Sequence, residues 1–155
     1  MCPVDHFVPR PSDPYASSCE FVVKGIKSLL RRAQSTGWAE YISERVYLRS
    51  YSISPIVGFT DGGGVCGHFI LHKGDMDDVF QWPSNQRIKF TVWHPKRAME
   101  QHILGSTRNK IPLKTRQEGR GQQRFWSYPH VLLDELIRDG YVEDDQLLVK
   151  FELLP

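Results

Sequence analysis

Cysteine is scarce and badly placed for cross-linking. Cys2, Cys19 and Cys66 are an odd count with no C-x-x-C spacing, whereas a secreted disulfide framework or a zinc finger needs cysteines in close pairs. Long apolar runs are missing too, and no stretch approaches the roughly 20 residues of a membrane helix. The opening Met1-Cys2-Pro3-Val4-Asp5-His6 carries an acid and a proline where a secretory leader needs a basic start and an apolar run. These absences point to a reducing, cytoplasmic setting with no membrane insertion. Net charge is only +2 over 155 residues, too small to argue for nucleic acid by itself. The catalytic patterns G-x-S-x-G, the P-loop and H-E-x-x-H do not occur. Neither an enzymatic activity nor a cofactor is expected.

What is present reads as one domain behind a tail. Residues 1–18 hold Pro3, Pro9, Pro11 and Pro14 with little apolar periodicity, the signature of an extended tail or linker. The folded part is expected over 19–155, a length that suits a single core. Glu20 to Lys24 reads as a first strand. Ile26, Leu29, Leu30 and Ala33 then recur at helical spacing, with Lys27, Arg31 and Arg32 left to water and Gly37 as the stop. Arg45 to Ile53 reads as a strand, Pro55 separates it from Ile56 to Phe59, and Asp61-Gly62-Gly63-Gly64 predicts a hairpin into His68 to Leu71. Ile88, Phe90 and Val92 alternate with Arg87, Lys89 and Thr91, and later Leu147, Val149, Phe151 and Leu153 alternate with Leu148, Lys150 and Glu152, so each strand is expected to bury one face. Leu132, Leu133, Leu136 and Ile137 suggest a short helix closed by Gly140. Many strands, few helices and no βαβ rhythm predict an all-β antiparallel sandwich.

Several clusters could carry chemistry. Asp75, Asp77 and Asp78, and Glu143, Asp144 and Asp145, are the dense acids, and they read as solvated turn residues. Cys66, His68 and His72 lie close in sequence, as do Cys2, His6 and Cys19. Positions four apart on a strand are separated by about 13 Å, so His68 and His72 cannot share an ion unaided, and no metal is expected. Arg108, Lys110, Lys114, Arg116, Arg120 and Arg124, followed by Phe125, Trp126 and Tyr128, could bind nucleic acid. The plainer reading of that segment is a solvated loop between two strands.

Lys73-Gly74-Asp75, followed by Trp82-Pro83-Ser84-Asn85-Gln86, resembles the TRAF-C (MATH) domain of the TNF receptor-associated factors. There a strand ends in Lys-Gly, a short acidic turn follows, and Trp-Pro-Phe-Asn-Gln leads into the next strand. Only the phenylalanine differs, as Ser84. The segment Gly140 to Lys150 is similar to the family's closing Tyr-Val-x-Asp-Asp turn and last strand. Trp82, Pro83, Asn85, Tyr141, Asp144 and Asp145 are thereby framework residues. The resemblance covers Cys19 to Pro155 and identifies a divergent member or a C-terminal fragment.

That resemblance implies an eight-stranded antiparallel sandwich with one or two short helices. It also implies a signalling adaptor that binds extended peptides of receptors or other adaptors by adding them to a sheet edge. Asp61 and Gly62 match the family's acid–glycine turn, Phe69 falls at an aromatic position, and His68 replaces a second aromatic. Pro55 and Val57 stand where the family carries an Arg-x-Tyr pair, and no serine run occurs from Lys110 to Gln123. A ligand other than the family's usual receptor motif is therefore expected, at an edge near Ile56 to Ile70. A homotrimer would need a coiled coil upstream, and ubiquitin ligase activity is not assigned. The rival readings are nucleic-acid binding through residues 108–124 and a purely oligomerising assembly domain.

Overall fold

A computed structural model describes residues 16–49, 51–72, 87–97, 99, 101–106, 114–117, 122–126 and 131–154. Their elements run β1 (Ser18–Lys24), α1 (Ile26–Thr36), β2 (Trp38–Ile42), β3 (Val46–Leu48), β4 (Tyr51–Thr60), β5 (Gly64–His72), β6 (Arg87–Trp93) and β7 (Gln101–Ser106). They continue β8 (Lys114–Gln117), β9 (Gln122–Trp126), β10 (Val131–Leu132), α2 (Leu133–Arg138), β11 (Val142–Glu143) and β12 (Gln146–Leu154).

Every strand pairing is antiparallel. One sheet runs β1-β12-β6-β7, with β11 folded back on β12; the other runs β2-β4-β5-β9-β8, with β3 beside β4 and β10 beside β5. Facing each other, they form the expected antiparallel sandwich. Among the described residues its strands come as twelve segments, of which β3, β10 and β11 are only two or three residues long.

The alternating strands build the core. Leu147, Val149, Phe151 and Leu153 of β12 all point inward, as do Ile88, Phe90 and Val92 of β6. Phe151 joins the two sheets, with its ring 4.8 Å from Phe90 in its own sheet and 5.4 Å from Phe69 in the other. Tilted ring pairs at such separations add favourable quadrupole contact to the burial of area. Helix α1 lays Ile26, Leu29 and Ala33 against this core, and Lys27, Arg31 and Arg32 remain exposed. Gly37 ends the helix in the left-handed region, its N–H donating to the Ala33 carbonyl at 2.7 Å. The chain is already tied down ahead of β1, since the Ala16 and Ser17 carbonyls accept the N–H groups of Arg49 and Leu153.

Three local expectations need correction. Arg45 to Ile53 is not one strand: β3 ends at Leu48, the chain reverses at Arg49 (φ 49°), and Tyr51 begins β4. Pro55 does not interrupt β4, which runs through it. The β4 ladder changes partner there, β3 pairing up to Ile53 and β2 from Ile56 onward. The Pro55 carbonyl is met by the Ser43 N–H at 2.8 Å, so the missing proline donor falls where no neighbouring strand needs it. Finally, the basic segment is not all loop, because Lys114–Gln117 and Gln122–Trp126 pair as the hairpin β8–β9.

Candidate functional site

The residues expected to form a peptide site do not converge. Asp61 and Gly62 are exposed at the tip of the β4–β5 hairpin. Gly63 (φ 85°) closes that turn, its N–H donating to the Thr60 carbonyl at 3.1 Å, a conformation that suits glycine. The Gly63 carbonyl accepts the Leu133 N–H at 2.8 Å, which ties the tip to α2. His68 and Phe69 are successive residues of β5 and face opposite ways. Phe69 is 0% exposed in the core, and His68 is 2% exposed on the outer side of the sheet. From Gly64 to His68 is about 13 Å along a strand.

Nor is Ile56 to Ile70 a sheet edge. Strand β4 lies between β2 and β5, and β5 lies between β4 and a flank shared by β9 and β10. Among the described residues the sheets end in β2 and β8 on one layer and in β1 and β7 on the other.

Two features escape sequence reading. The first is a cluster on the outer face of the β2–β4–β5 sheet. Trp38 packs its ring 5.0 Å from the His68 ring and donates from Nε1 to Glu40 Oε1 at 2.7 Å. Cys66 Sγ lies 3.2 Å from His68 Nε2, and burial, with Glu40 nearby, pushes the thiol up to about 12. His72 Nε2 instead meets Ser54 Oγ at 2.7 Å, so Cys66, His68 and His72 do not close on one point. Arg45 reaches round to donate to Ser52 Oγ. Such a thiol, protonated and shielded, is no nucleophile. The only sequence signal was Trp38 after the helix-stopping glycine.

The second feature is a cleft where the open edges of the two sheets meet. Strands β2 and β3 lie end to end along β4, and β1 borders the other layer. Phe21 of β1 and Tyr41 of β2 stack almost parallel, at 6.3 Å and 5°. A cavity of about 60 Å³ opens beside them, lined also by Cys19, Glu20, Val22, Ser43, Glu44 and Val46. Burial, then the charge of Glu20, pushes the Cys19 thiol up to about 12. Tyr41 is raised by burial and by Glu44.

The framework residues at the C-terminal end act as supports. Tyr141 is buried, donates its N–H to the Leu136 carbonyl at 2.9 Å, and sets its ring edge-on to His94. Asp144 (φ 54°) and Asp145 (φ 60°) are the two central residues of the β11–β12 hairpin, the left-handed pair of a type I′ turn. Trp82, Pro83 and Asn85, with the rest of Lys73 to Gln86, lie outside the described residues, as do Asp75, Asp77 and Asp78.

Residues 58–150, from the end of β4 into β12, match the family model described as TRAF/meprin, MATH domain. The chain belongs to the TRAF/meprin MATH family. It is accordingly a protein-interaction domain, of the family that the Trp-Pro and Asp-Asp segments resemble. A solved structure of TRAF5 from Notothenia coriiceps is similar at a TM-score of 0.66, covering 90% of this chain and 73% of that one with 16% identity. At that identity the likeness speaks for the fold, two antiparallel sheets with few helices. No curated protein matches the chain. Among the described residues of this MATH domain, no helix is long and apolar enough to cross a membrane.

Proposed function

We propose that this MATH domain is a cytoplasmic signalling adaptor module that catalyses no reaction. It binds short extended peptides of receptors or other adaptors by adding them to a sheet edge. The observation that carries the reading is β2, a five-residue edge strand. Ile42 at its end is 51% exposed, and β4 is its one partner strand among the described residues. Edge strands keep unpaired N–H and C=O groups that an incoming strand can complete. A cytoplasmic setting is supported by Cys19 and Cys66, which are half-buried and form no disulfide.

Asp61 and Gly62 enter this reading through register. Thr60 pairs with Trp38, so the exposed hairpin tip stands just beyond the start of β2 and can meet one end of a bound strand. His68 contributes from beneath by seating the Trp38 ring, and Phe69 by fixing β5 through the core. An array of extended peptides drawn from receptor tails and adaptors tests the idea. The protein is expected to select a subset, and Asp61→Arg is expected to weaken that binding several-fold. An array in which no peptide binds would remove the reading.

A further inference from the structure

The proposed ligand class can be narrowed by what surrounds the β1–β2 cleft, resting on the edge-binding reading above. Two carboxylates, Glu20 and Glu44, flank the cavity, and both residues are exposed. The nearby cations are engaged elsewhere. Lys150, opposite Glu20 in the β1–β12 register, lies 4.0 Å from Glu152 and sits over the Trp93 ring. Arg45, next to Glu44 in sequence, is bonded to Ser52 on the outer face. Among the described residues neither Glu20 nor Glu44 makes an ion pair. Among the described residues both carboxylates therefore lack a bonded counter-ion at the cavity they line.

We infer that the cleft between β1 and β2 receives an extended peptide that places a small aliphatic side chain in the cavity and flanks it with lysine or arginine. Three features of the cleft each select one property of this ligand. The edge of β2 that pairs with no strand among the described residues takes the backbone, since an added strand extends the sheet over the cavity. The cavity of about 60 Å³, lined in part by Val22 and Val46, offers room for a short branched side chain. The carboxylates reward a cation on either side of that residue, steering it in and rejecting acidic sequences by like-charge repulsion. Alternation along a strand suits this arrangement, because residues on either side of an inward-facing one point outward.

The test uses the full chain and two labelled, end-blocked peptides, Lys-Val-Lys-Val-Lys and Glu-Val-Glu-Val-Glu, with binding read by fluorescence anisotropy. The basic peptide is expected to bind and to weaken as salt rises. The combined variant Glu20→Lys and Glu44→Lys should reduce its affinity by about tenfold or more. Both positions are exposed, so the variant should keep the wild-type circular dichroism and melting transition. If array-selected peptides bind with affinities unchanged by the double variant, the cleft assignment falls while edge binding stands. If no peptide of any kind binds, both fall. Equal or tighter binding of the acidic peptide overturns the charge argument. A dimer abolished by the double variant would give the cleft to a second copy of the chain and likewise overturn the proposal.

Discussion

The carboxylate of Asp145 accepts the backbone N–H of Lys27 at 2.9 Å, although 118 positions separate the two residues. The Asp145 carbonyl also accepts the N–H groups of Gly25 and Ile26, at 3.1 and 3.2 Å. Helix α1 has no side-chain cap of its own, because glycine precedes its first residue. The first N–H groups of a helix lack intrahelical partners, and here the β11–β12 turn supplies them from the far end of the chain. One residue thus closes a hairpin and caps a helix, fastening the first helix to the last strand.

Replacing Asp145 tests that double role. Asp145→Ala should cost about 1 kcal/mol, the usual worth of an N-terminal cap, plus the strain of a left-handed alanine. Asp145→Asn should cost less, since asparagine keeps the acceptor oxygen and tolerates positive φ. Urea unfolding measures the difference, and amide exchange at Lys27 should quicken in the alanine variant alone. Equal losses in both variants would assign the effect to the carboxylate charge near the helix N-terminus.

What could be read in advance follows from one-sided burial. The strands around Phe90 and Phe151 alternate because one face meets the core and the other does not, and α1 carries a single stripe for the same reason. Strands β4 and β5 break that rule. Ile56 and His68 on their outer face are as buried as Val57 and Phe69 on the inner one, so periodicity could not say which way Phe69 points. The family resemblance places it beside a ligand, and it lies against Phe151. Edges are equally hidden, since an edge is defined by strands far away in sequence, and nothing in the five residues of β2 marks it as one. The Asp144-Asp145 turn was legible as a turn, while its grip on α1 was not, because a cap given across the whole chain leaves no local pattern.

Two glycines mark close approaches that a methyl group would block. A Cβ on Gly67 would lie 2.5 Å from Cδ2 of Phe90, across the gap between the sheets. Phe90 is fully buried and has nowhere to go. Gly67→Ala should therefore cost about 1–3 kcal/mol, the usual range for overpacking a core. On the outer face a Cβ on Gly58 would strike the Trp38 ring. That ring is only half-buried and can swing aside, so Gly58→Ala should destabilise less but shift tryptophan fluorescence as the ring leaves His68. A larger loss at Gly58 than at Gly67 would mean that the outer cluster, not the intersheet packing, is the less yielding part.

Stability should fall away on both sides of neutrality, for different reasons. Burial raises the thiols of Cys19 and Cys66 from 9.0 to about 12 in the folded chain. As pH climbs past 9 the unfolded chain loses these protons first, so their contribution is whole below 9 and declines toward 12. Tyr41 and Tyr51 are raised from 10.0 and add to the loss only beyond that value, which leaves the interval from 9 to 10 to the thiols. On the acid side, burial and then Arg45 lower His72 from 6.5. The unfolded chain therefore takes up that proton first, and stability present above 6.5 is lost as pH falls. Urea midpoints measured across the range should show a plateau between these limits. Cys66→Ala should flatten the decline between 9 and 10, and His72→Gln should flatten the acid limb whatever its own cost at neutral pH. In a Cys2→Ser background, rapid reaction of the native protein with a thiol reagent at neutral pH, matching the rate in urea, would contradict the burial of Cys19 and Cys66 on which the alkaline limb depends.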